Sequence, residues 1–524
     1  ILLLYLQVWG HFAKCTRSRI RNKQIQNTLL LHICYNGKEI TFSSRNFHPN
    51  TEKERLRKYE KNFKSLKEKF NKYGVTAPWW VDEELKMIHE KGYDERYPEM
   101  YQASKYFQRN SWKIAYEVMR SSKLLGGFMF LQFADTDKYE NSNGVVDCFD
   151  DINGIEPKDF NIFNGDILLM SKLRKYNYYD TDKFNFDVFI SRFDEQRLNN
   201  ADLIITLGDK KQVFKDIDIS KHDYYKLVST SFDFDKVDKK TMLTLKFELF
   251  DKDTLLSKNE YNIWVYPELK KYTYKEFTSI KENDFIVTAS MEDALKALKE
   301  KKDVVLIYRE LLTRHVTDKG MKLPEHAFKA SWNRFKPVIW DRGTNFGGII
   351  NTNELSKFGF NEKFLDLDLS VLTEDSDKII LDDFPVKVSN LISGIDKCNR
   401  DRFDAYKSSF NLPELMYDRT LRDYSYLFET SVGGAKLVVC GLNLTKLDSD
   451  EPSSNFMANS LLEIIKSKKG NVIKGFQFED FLLYVYNCGR EPIKERIMTQ
   501  FWELDDSPVE TSSFWKESRE YLTK

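Results

Sequence analysis

The chain runs to 524 residues, of which 41% are hydrophobic and 14% aromatic, enough apolar surface for about three domains with cores of their own. Lys and Arg together number 81 and so do Asp and Glu, giving a formal net charge of zero. A nucleic-acid binder or a membrane-surface protein carries a basic excess, so neither nucleic acid nor membrane is expected as a partner.

Six cysteines (Cys15, Cys34, Cys148, Cys398, Cys440, Cys488) stand apart without a C-x-x-C pair, and seven histidines are scattered. No disulfide framework, metal site or other cofactor is expected. Asn443-Leu444-Thr445 is a glycosylation triplet, but one in a chain of this length is near chance.

The chain opens ILLLYLQVW and then turns basic at Lys14, Arg17, Arg19 and Arg21. A secretory signal has the reverse order, charges first, and the apolar run is too short to span a membrane. Compartment stays open. Residues 1–34 are left unassigned, as the edge of an incomplete reading frame or a cut barrel strand. From Glu52 to Tyr73, apolar positions at Leu56, Tyr59, Phe63, Leu66 and Phe70 recur at three and four, a helix stopped by Gly74. Its mixed charges are a solvated face. A second helix is expected from about Met100 to Ser121, after Pro98. From about Ile167 the period becomes two: Phe184, Phe186, Val188, Ile190; then Leu243, Leu245, Phe247, Leu249; then Tyr261, Ile263, Val265, closed by Pro267. This pattern predicts a β-sandwich.

A Lys-rich linker, Lys270–Lys281, leads to an α/β pattern. Phe285–Thr288 is a strand, Ser290 with Asp293 caps a helix through Leu298, Val304–Tyr308 and Lys436–Leu442 are apolar strands, and Asn455–Ser467 is a helix. Continuous apolar strands alternating with helices predict a parallel sheet covered on both faces.

The most specific segment is KLLGGFMFLQFADTDKYENSNGVVDCFDDINGIEPKDF, from Lys123 to Phe160. It resembles the last barrel strand and barrel exit of glycoside hydrolase family 2, the β-galactosidase-like retaining glycosidases. The resemblance rests on Gly126, Gly127, Phe128, Asp135, Val145, Asp147, Phe149, Asp151, Gly154, Pro157 and Phe160. Ala103-Ser104, Glu117 and Arg120 on the preceding helix extend it. More weakly, so do Gly347-Gly348-Ile349-Ile350 and Phe428-Glu429 with Val432-Gly433 before Lys436-Leu437-Val438-Val439. In that last segment the family's second glycine is displaced, since the chain reads Gly433-Gly434-Ala435. About 125 residues precede the barrel-closing motif, whereas a whole barrel needs roughly 250. The resemblance therefore implies an N-terminally truncated protein. Residues 35–165 would be the C-terminal part of a TIM-barrel domain, 166–268 an Ig-like β-sandwich, 282–470 an amidotransferase-like α/β domain, and 471–524 a C-terminal extension.

A retaining glycosidase needs two carboxylates about 5 Å apart. The family's acid/base is an Asn-Glu glutamate on a strand that would precede Ile1. Its nucleophile falls, on the family's spacing, at Glu39, with Lys38 where the family has His; otherwise Glu39 is an exposed carboxylate. Asp135, just past the barrel-type strand, and Gln132 near that strand's end could hydrogen-bond substrate hydroxyls. Asp135 serves equally well as a turn cap. Trp80, beside Trp79, could offer a sugar-stacking face or anchor a loop.

An EF-hand starting at Asp135 fails at Tyr139 and Glu140. Gly343 to Gly348 lacks the Lys-Ser/Thr of a phosphate loop. Cys440 inside an apolar strand reads as a buried, inert thiol. The functional expectation is a carbohydrate-processing protein resembling a retaining β-glycosidase, acting on a carbohydrate or glycoside, with little or no hydrolysis by the chain as it stands because the acid/base is missing. The alternative is a non-catalytic carbohydrate-binding or interaction protein derived from such an enzyme. A third reading, the α/β domain as an enzyme of its own, lacks any G-x-S-x-G or G-x-C-x-G elbow.

Overall fold

The computed structural model describes the backbone of residues 30–35, 38–43 and 330–333, and residues 86–309, 348–398 and 420–488 with short breaks, the longest over 135–144. The chain folds as a mixed α/β protein with several sheets. The helix expected over Glu52–Tyr73 and the pair Trp79-Trp80 lie outside the described residues.

A hairpin of β1 (Leu30–Tyr35) and β2 (Lys38–Ser43) comes first, with Cys34 opposite Glu39. Helix α1 (Tyr97–Arg120) follows, with Pro98 in its first turn, Glu99 near its N-terminus and Arg120 in its last turn. It begins before Met100 because a first-turn proline gives up an N–H that has no helical partner anyway. Glu99 and Arg120 complement the helix dipole.

The barrel-type strand expected around Gly126–Phe128 is not formed by its described residues. From Ser121 to Ala134 they make no ladder, and only single bridges join Ala134 to Val146 and Val146 to Ile152. Side-chain packing holds this segment instead. Phe128 meets Tyr116 edge-on at 5.1 Å, Phe130 meets Trp112 at 5.5 Å, and Phe160, on helix α2 (Pro157–Asn164), meets Trp112 at 6.0 Å. Val145, Ile155 and Phe163 complete the cluster. The aromatic residues that carry the resemblance thus wrap one flank of α1.

Residues 167–266 form two packed sheets. The strands are β3 (Ile167–Met170), β4 (Asn177–Tyr179), β5 (Lys183–Arg192), β6 (Asn200–Leu207), β7 (Lys210–Asp218), β8 (Tyr224–Asp233), β9 (Thr241–Asp251) and β10 (Thr254–Tyr266). One sheet has the order β3-β5-β8, the other β4-β10-β9-β6-β7. The alternation read from the sequence puts Phe184, Phe186, Val188 and Ile190 of β5 into one core with Leu245, Phe247 and Leu249 of β9 and Tyr261 and Ile263 of β10. Arg192 ends β5 fully buried, its guanidinium paired with both oxygens of Asp194 at 2.7 Å, and this draws the Asp194 carboxyl below the usual carboxylate range.

The segment expected to be a free linker is anchored. Thr273 and Glu276 form a reciprocal cap on a single helical turn, and Phe277 is fully buried in a core shared with Trp264 and Tyr266 of β10.

The remaining described residues build a sheet from β11 (Phe285–Thr288), β12 (Asp303–Ile307), β13 (Ala330–Asn333), β14 (Ile349–Ile350), β15 (Ser376–Ile380), β16 (Ser389–Cys398), β17 (Thr420–Val432) and β18 (Ala435–Cys440). The expectation of a parallel sheet needs correction. β11, β12 and β18 are parallel, but β18–β17, β17–β15, β17–β16, β16–β14 and β15–β13 pair antiparallel. The switch comes from the glycine pair read as a displaced signature. Val432 faces Ala435 across a two-residue turn in which Gly433 and Gly434 both have positive φ, 58° and 88°. Such a primed turn forces an antiparallel return.

Helix α3 (Met291–Lys299) and helix α6 (Phe478–Cys488) cover one face. Helix α5 (Pro452–Lys466) covers the other; α4 (Leu367–Thr373), between β14 and β15, packs in that same core. Among the described residues no helix is long and apolar enough to cross a membrane.

Two glycines separate close packing from backbone strain. A Cβ at Gly441 would stand 2.2 Å from the Asp377 carbonyl oxygen, where β18 leaves the sheet, whereas one at Gly434 would meet nothing within 4 Å. Gly434→Ala is expected to cost about 1–2 kcal/mol, the ordinary penalty for a left-handed alanine. Gly441→Ala must move backbone, and its urea midpoint is expected to fall clearly further than that of Gly434→Ala.

Candidate functional site

Helix α1 carries a row of residues at alternating spacings of three and four: Arg96, Glu99, Ala103, Tyr106, Asn110, Lys113, Glu117 and Arg120. Such a row stays on one side of a helix, as a heptad seam does, but seven of its eight members here are polar. On a straight helix a 3.5-residue row drifts by about 20° per heptad, so its N-terminal and C-terminal parts point in different directions. The N-terminal half meets the mixed sheet and the C-terminal half meets the two packed sheets.

At the start, Arg96 donates to Asp423 Oδ2 at 2.7 Å and to Ser393 Oγ at 3.4 Å, and Glu99 pairs with Lys363 at 2.8 Å. Midway, the Tyr106 hydroxyl makes a short hydrogen bond to Asp366 Oδ2, and Asn110 Nδ2 donates to Asp366 Oδ1 at 3.1 Å. Asp366 sits just before α4, and the Leu367 N–H donates to the same Oδ1 at 2.7 Å. Asp368 follows within α4. Its Oδ2 lies 2.5 Å from Lys240 Nζ, which also reaches Glu362 at 2.8 Å from the connection between β8 and β9.

At the far end, Glu117 accepts from Lys113 Nζ at 2.6 Å and from Asn259 Nδ2 at 2.8 Å, and the Lys113 ammonium stands 3.5 Å over the Tyr261 ring. Arg120 donates to the Gly165, Asp166 and Ser191 carbonyl oxygens at 2.8, 3.1 and 3.0 Å, and to Ser191 Oγ at 3.1 Å.

The protonation chemistry concentrates at the middle. Burial pushes the Asp366 carboxyl up to about 6 against the Tyr106 hydrogen bond, which favours the carboxylate, and neighbouring Asp368 adds to the rise. Burial also raises the Tyr106 hydroxyl, with Asp366 beside it raising it further. Burial opposes the charge on Lys240, yet Asp368 and Glu362 together hold its ammonium above the ordinary lysine range. Lys113 moves the other way, lowered by burial that Glu117 only partly offsets. The arrangement can hold or release a proton at Asp366 and can lock two sheets against one helix. Among the described residues no group of three or more His, Cys, Asp or Glu side chains is placed to hold a metal ion.

None of the site residues expected from the sequence has a described side chain. Glu39 lies in β2, whose backbone alone is described. Gln132, Asp135 and Trp80 lie outside the described residues. Glu117 and Arg120, part of the resemblance, emerge as docking residues. Cys440 is buried at the end of β18 with its thiol pushed up to about 12 by burial, as expected of an inert cysteine. Asn443 is buried and its Oδ1 accepts from Thr445, which leaves no room for a glycan on the folded chain. Asp366, Lys240 and Asp368 escaped sequence reading. The only available signal was the polar row on α1, and it gives the helix face without naming the partners.

Residues 182–267, from the start of β5 to the end of β10, match a family described as a domain of unknown function (DUF8488). No curated protein matches the chain. Among solved structures, β-glucuronidase from Parabacteroides merdae is similar at 12% identity over 27% of this chain and 21% of that one, with a TM-score of 0.15. The same enzyme with glycerol in its active site gives 13% identity, 27% and 20% coverage, and a TM-score of 0.15. The chain spans about a fifth of the length of these enzymes. At that score the likeness transfers neither an architecture nor a site.

Proposed function

We propose that the chain belongs to a carbohydrate-processing protein of the retaining β-glycosidase kind. On this reading residues 35–165 are the C-terminal part of a (β/α)8 catalytic domain, 166–268 an immunoglobulin-like sandwich and 282–470 an amidotransferase-like domain. The observation that supports it is the segment 123–160: its glycines, acidic residues and aromatics resemble the family's barrel exit, and Phe128, Val145 and Phe160 gather on the helix that precedes it. That helix is fastened by ion pairs and hydrogen bonds to both downstream units. A catalytic domain braced in this way keeps its substrate-binding groups at fixed positions.

Glu39 is then the carboxylate that attacks the anomeric carbon, while Gln132 and Asp135 accept from sugar hydroxyls and Trp80 stacks on a sugar face. The resemblance assigns no residue of this chain as the acid that protonates the leaving oxygen. Turnover of ordinary glycosides is therefore not expected. An activated substrate removes the need for that acid, because fluoride leaves unprotonated. Incubation with a panel of 2-deoxy-2-fluoro-β-glycosyl fluorides is expected to give a single glycosyl adduct by intact-mass spectrometry, mapped to the Glu39 peptide and lost in Glu39→Gln. Binding of a sugar without an adduct would favour the non-catalytic carbohydrate-binding reading. Neither adduct nor binding would sink both.

A further inference from the structure

We propose that a single ordered water molecule, enclosed between β4, β10 and α4, bridges Tyr266, Asn177 and Asp368 and completes the polar junction beside Lys240. Parallel pairing sets Trp264 of β10 opposite Asn177 of β4, and Tyr266 opposite Tyr179. Side chains two apart on a strand share a face. These four residues therefore point to one side of the sheet, where Tyr266 meets Phe456 of α5 at 5.4 Å. The Asn177 amide nitrogen faces three acceptors: the Asp368 carbonyl and Glu451 Oε1, each at 2.8 Å, and Ser453 Oγ at 3.3 Å. Those acceptors fix which way the amide is turned, and its Oδ1 is left without a donor. The Tyr266 hydroxyl stands among the carboxylates of Asp368, Glu362 and Glu451, yet none of them is within hydrogen-bond reach. Asp368 gives Oδ2 to Lys240 and accepts from no side chain at Oδ1. Each of the three residues is at most 3% exposed.

One donor and two acceptors thus lie buried around the same ion pair without bonding one another. Native interiors satisfy such groups with protein or with water, because a dry hydroxyl or amide oxygen forfeits its solvation for nothing. A water matches the set: it accepts from the Tyr266 hydroxyl and donates to Asn177 Oδ1 and Asp368 Oδ1, three hydrogen bonds, the usual number for an internal water. The Trp264 indole N–H, at the position opposite Asn177 and likewise without an acceptor, is a further donor for its remaining lone pair. The same balance disfavours a metal cation. Two of the four groups are N–H or O–H donors, and the Lys240 ammonium already supplies the positive charge for Asp368 and Glu362. Held in this way, the water ties the last strand of the two packed sheets to α4 of the mixed-sheet unit.

The bridge stands independently of the glycosidase reading. In a crystal structure of the full chain that resolves other internal waters, a water is expected within hydrogen-bond distance of Tyr266 Oη, Asn177 Oδ1 and Asp368 Oδ1. Tyr266→Phe keeps the ring against Phe456 and removes one bond to the water. Its urea midpoint is expected to fall, by about fivefold in the unfolding equilibrium. In a dry site the same substitution would only remove an unsatisfied hydroxyl, so a midpoint that rises or stays put overturns the proposal. So does a crystal structure in which Tyr266 donates straight to a carboxylate, or one in which a cation ringed by the carboxylates takes the water's place.

Discussion

Lys240→Met is expected to cost about 3–5 kcal/mol, the largest loss from any single charge in the junction. The ammonium is fully buried, with Asp368 at 2.5 Å, Glu362 at 2.8 Å, and the rings of Phe360 and Phe456 each 5.9 Å away. Methionine preserves the volume of the aliphatic stem, so the loss reports charge and not a cavity. What remains is an Asp368 carboxylate, also buried, with no counter-ion. Burial already pushes that carboxyl up, and Lys240 is the group that pulls it back.

The double variant Lys240→Met with Asp368→Leu removes both charges and is expected to recover all but about 1 kcal/mol, part of which is the acidic residue lost from the first turn of α4. The quantity to measure is the urea midpoint of the first unfolding transition in each variant. A single variant as stable as the parent would show that water, not protein, compensates Asp368. Because Lys240 is held above the ordinary lysine range, its ammonium persists up to about pH 10 and its contribution is lost as alkaline pH strips the proton.

The parts of this fold legible in the sequence are those whose stabilising contacts follow the local period. Phe184, Phe186, Val188 and Ile190 alternate because one face of β5 is wet, and β12 and β18 read as unbroken apolar runs because helices cover both faces. Sheet direction was not legible in the same way. The strand after Gly433-Gly434 has the composition of a parallel core strand, whereas β17 before it mixes polar and apolar residues, and the two-residue turn makes the pair antiparallel.

The α1 seam was hidden by a rule that usually works. Polar residues at helical spacing read as a solvated face, but here they are the docking face, and the opposite flank, with Trp112 and Tyr116, is buried under the 123–160 segment. Tyr106 and Asp366 are 260 positions apart. No local period records such a contact. The expectation of glycosidase residues rests on resemblance alone, since Glu39, Gln132, Asp135 and Trp80 share no spacing that physics alone would single out.

Arg120→Ala is expected to cost about 3 kcal/mol and to act at the other end of α1 from the Arg96 and Glu99 ion pairs. Its guanidinium ties three separate backbone positions together: the Gly165 and Asp166 carbonyls where α2 turns into β3, and the Ser191 carbonyl at the end of β5. Each acceptor left dry costs about 1–3 kcal/mol, while water reaching the cavity left by the side chain recovers part of the sum. Burial disfavours the guanidinium's charge and nearby Asp166 favours it, but no working pH removes its proton.

Arg120→Lys keeps the charge but offers it as a point and not a fork, so it cannot reach both the α2–β3 corner and β5. It is expected to recover less than half the loss. Hydrogen exchange gives the spatial test. Faster exchange should appear in β3, in the end of β5 and in the last turn of α1, with the amides around Tyr106 unchanged. If the whole of α1 loosened together, the helix would be held as one cooperative body and its two ends could not be set independently. If instead the change stays at the Arg120 end, α1 is held by two independent sets of contacts, one on the two packed sheets and one on the mixed sheet.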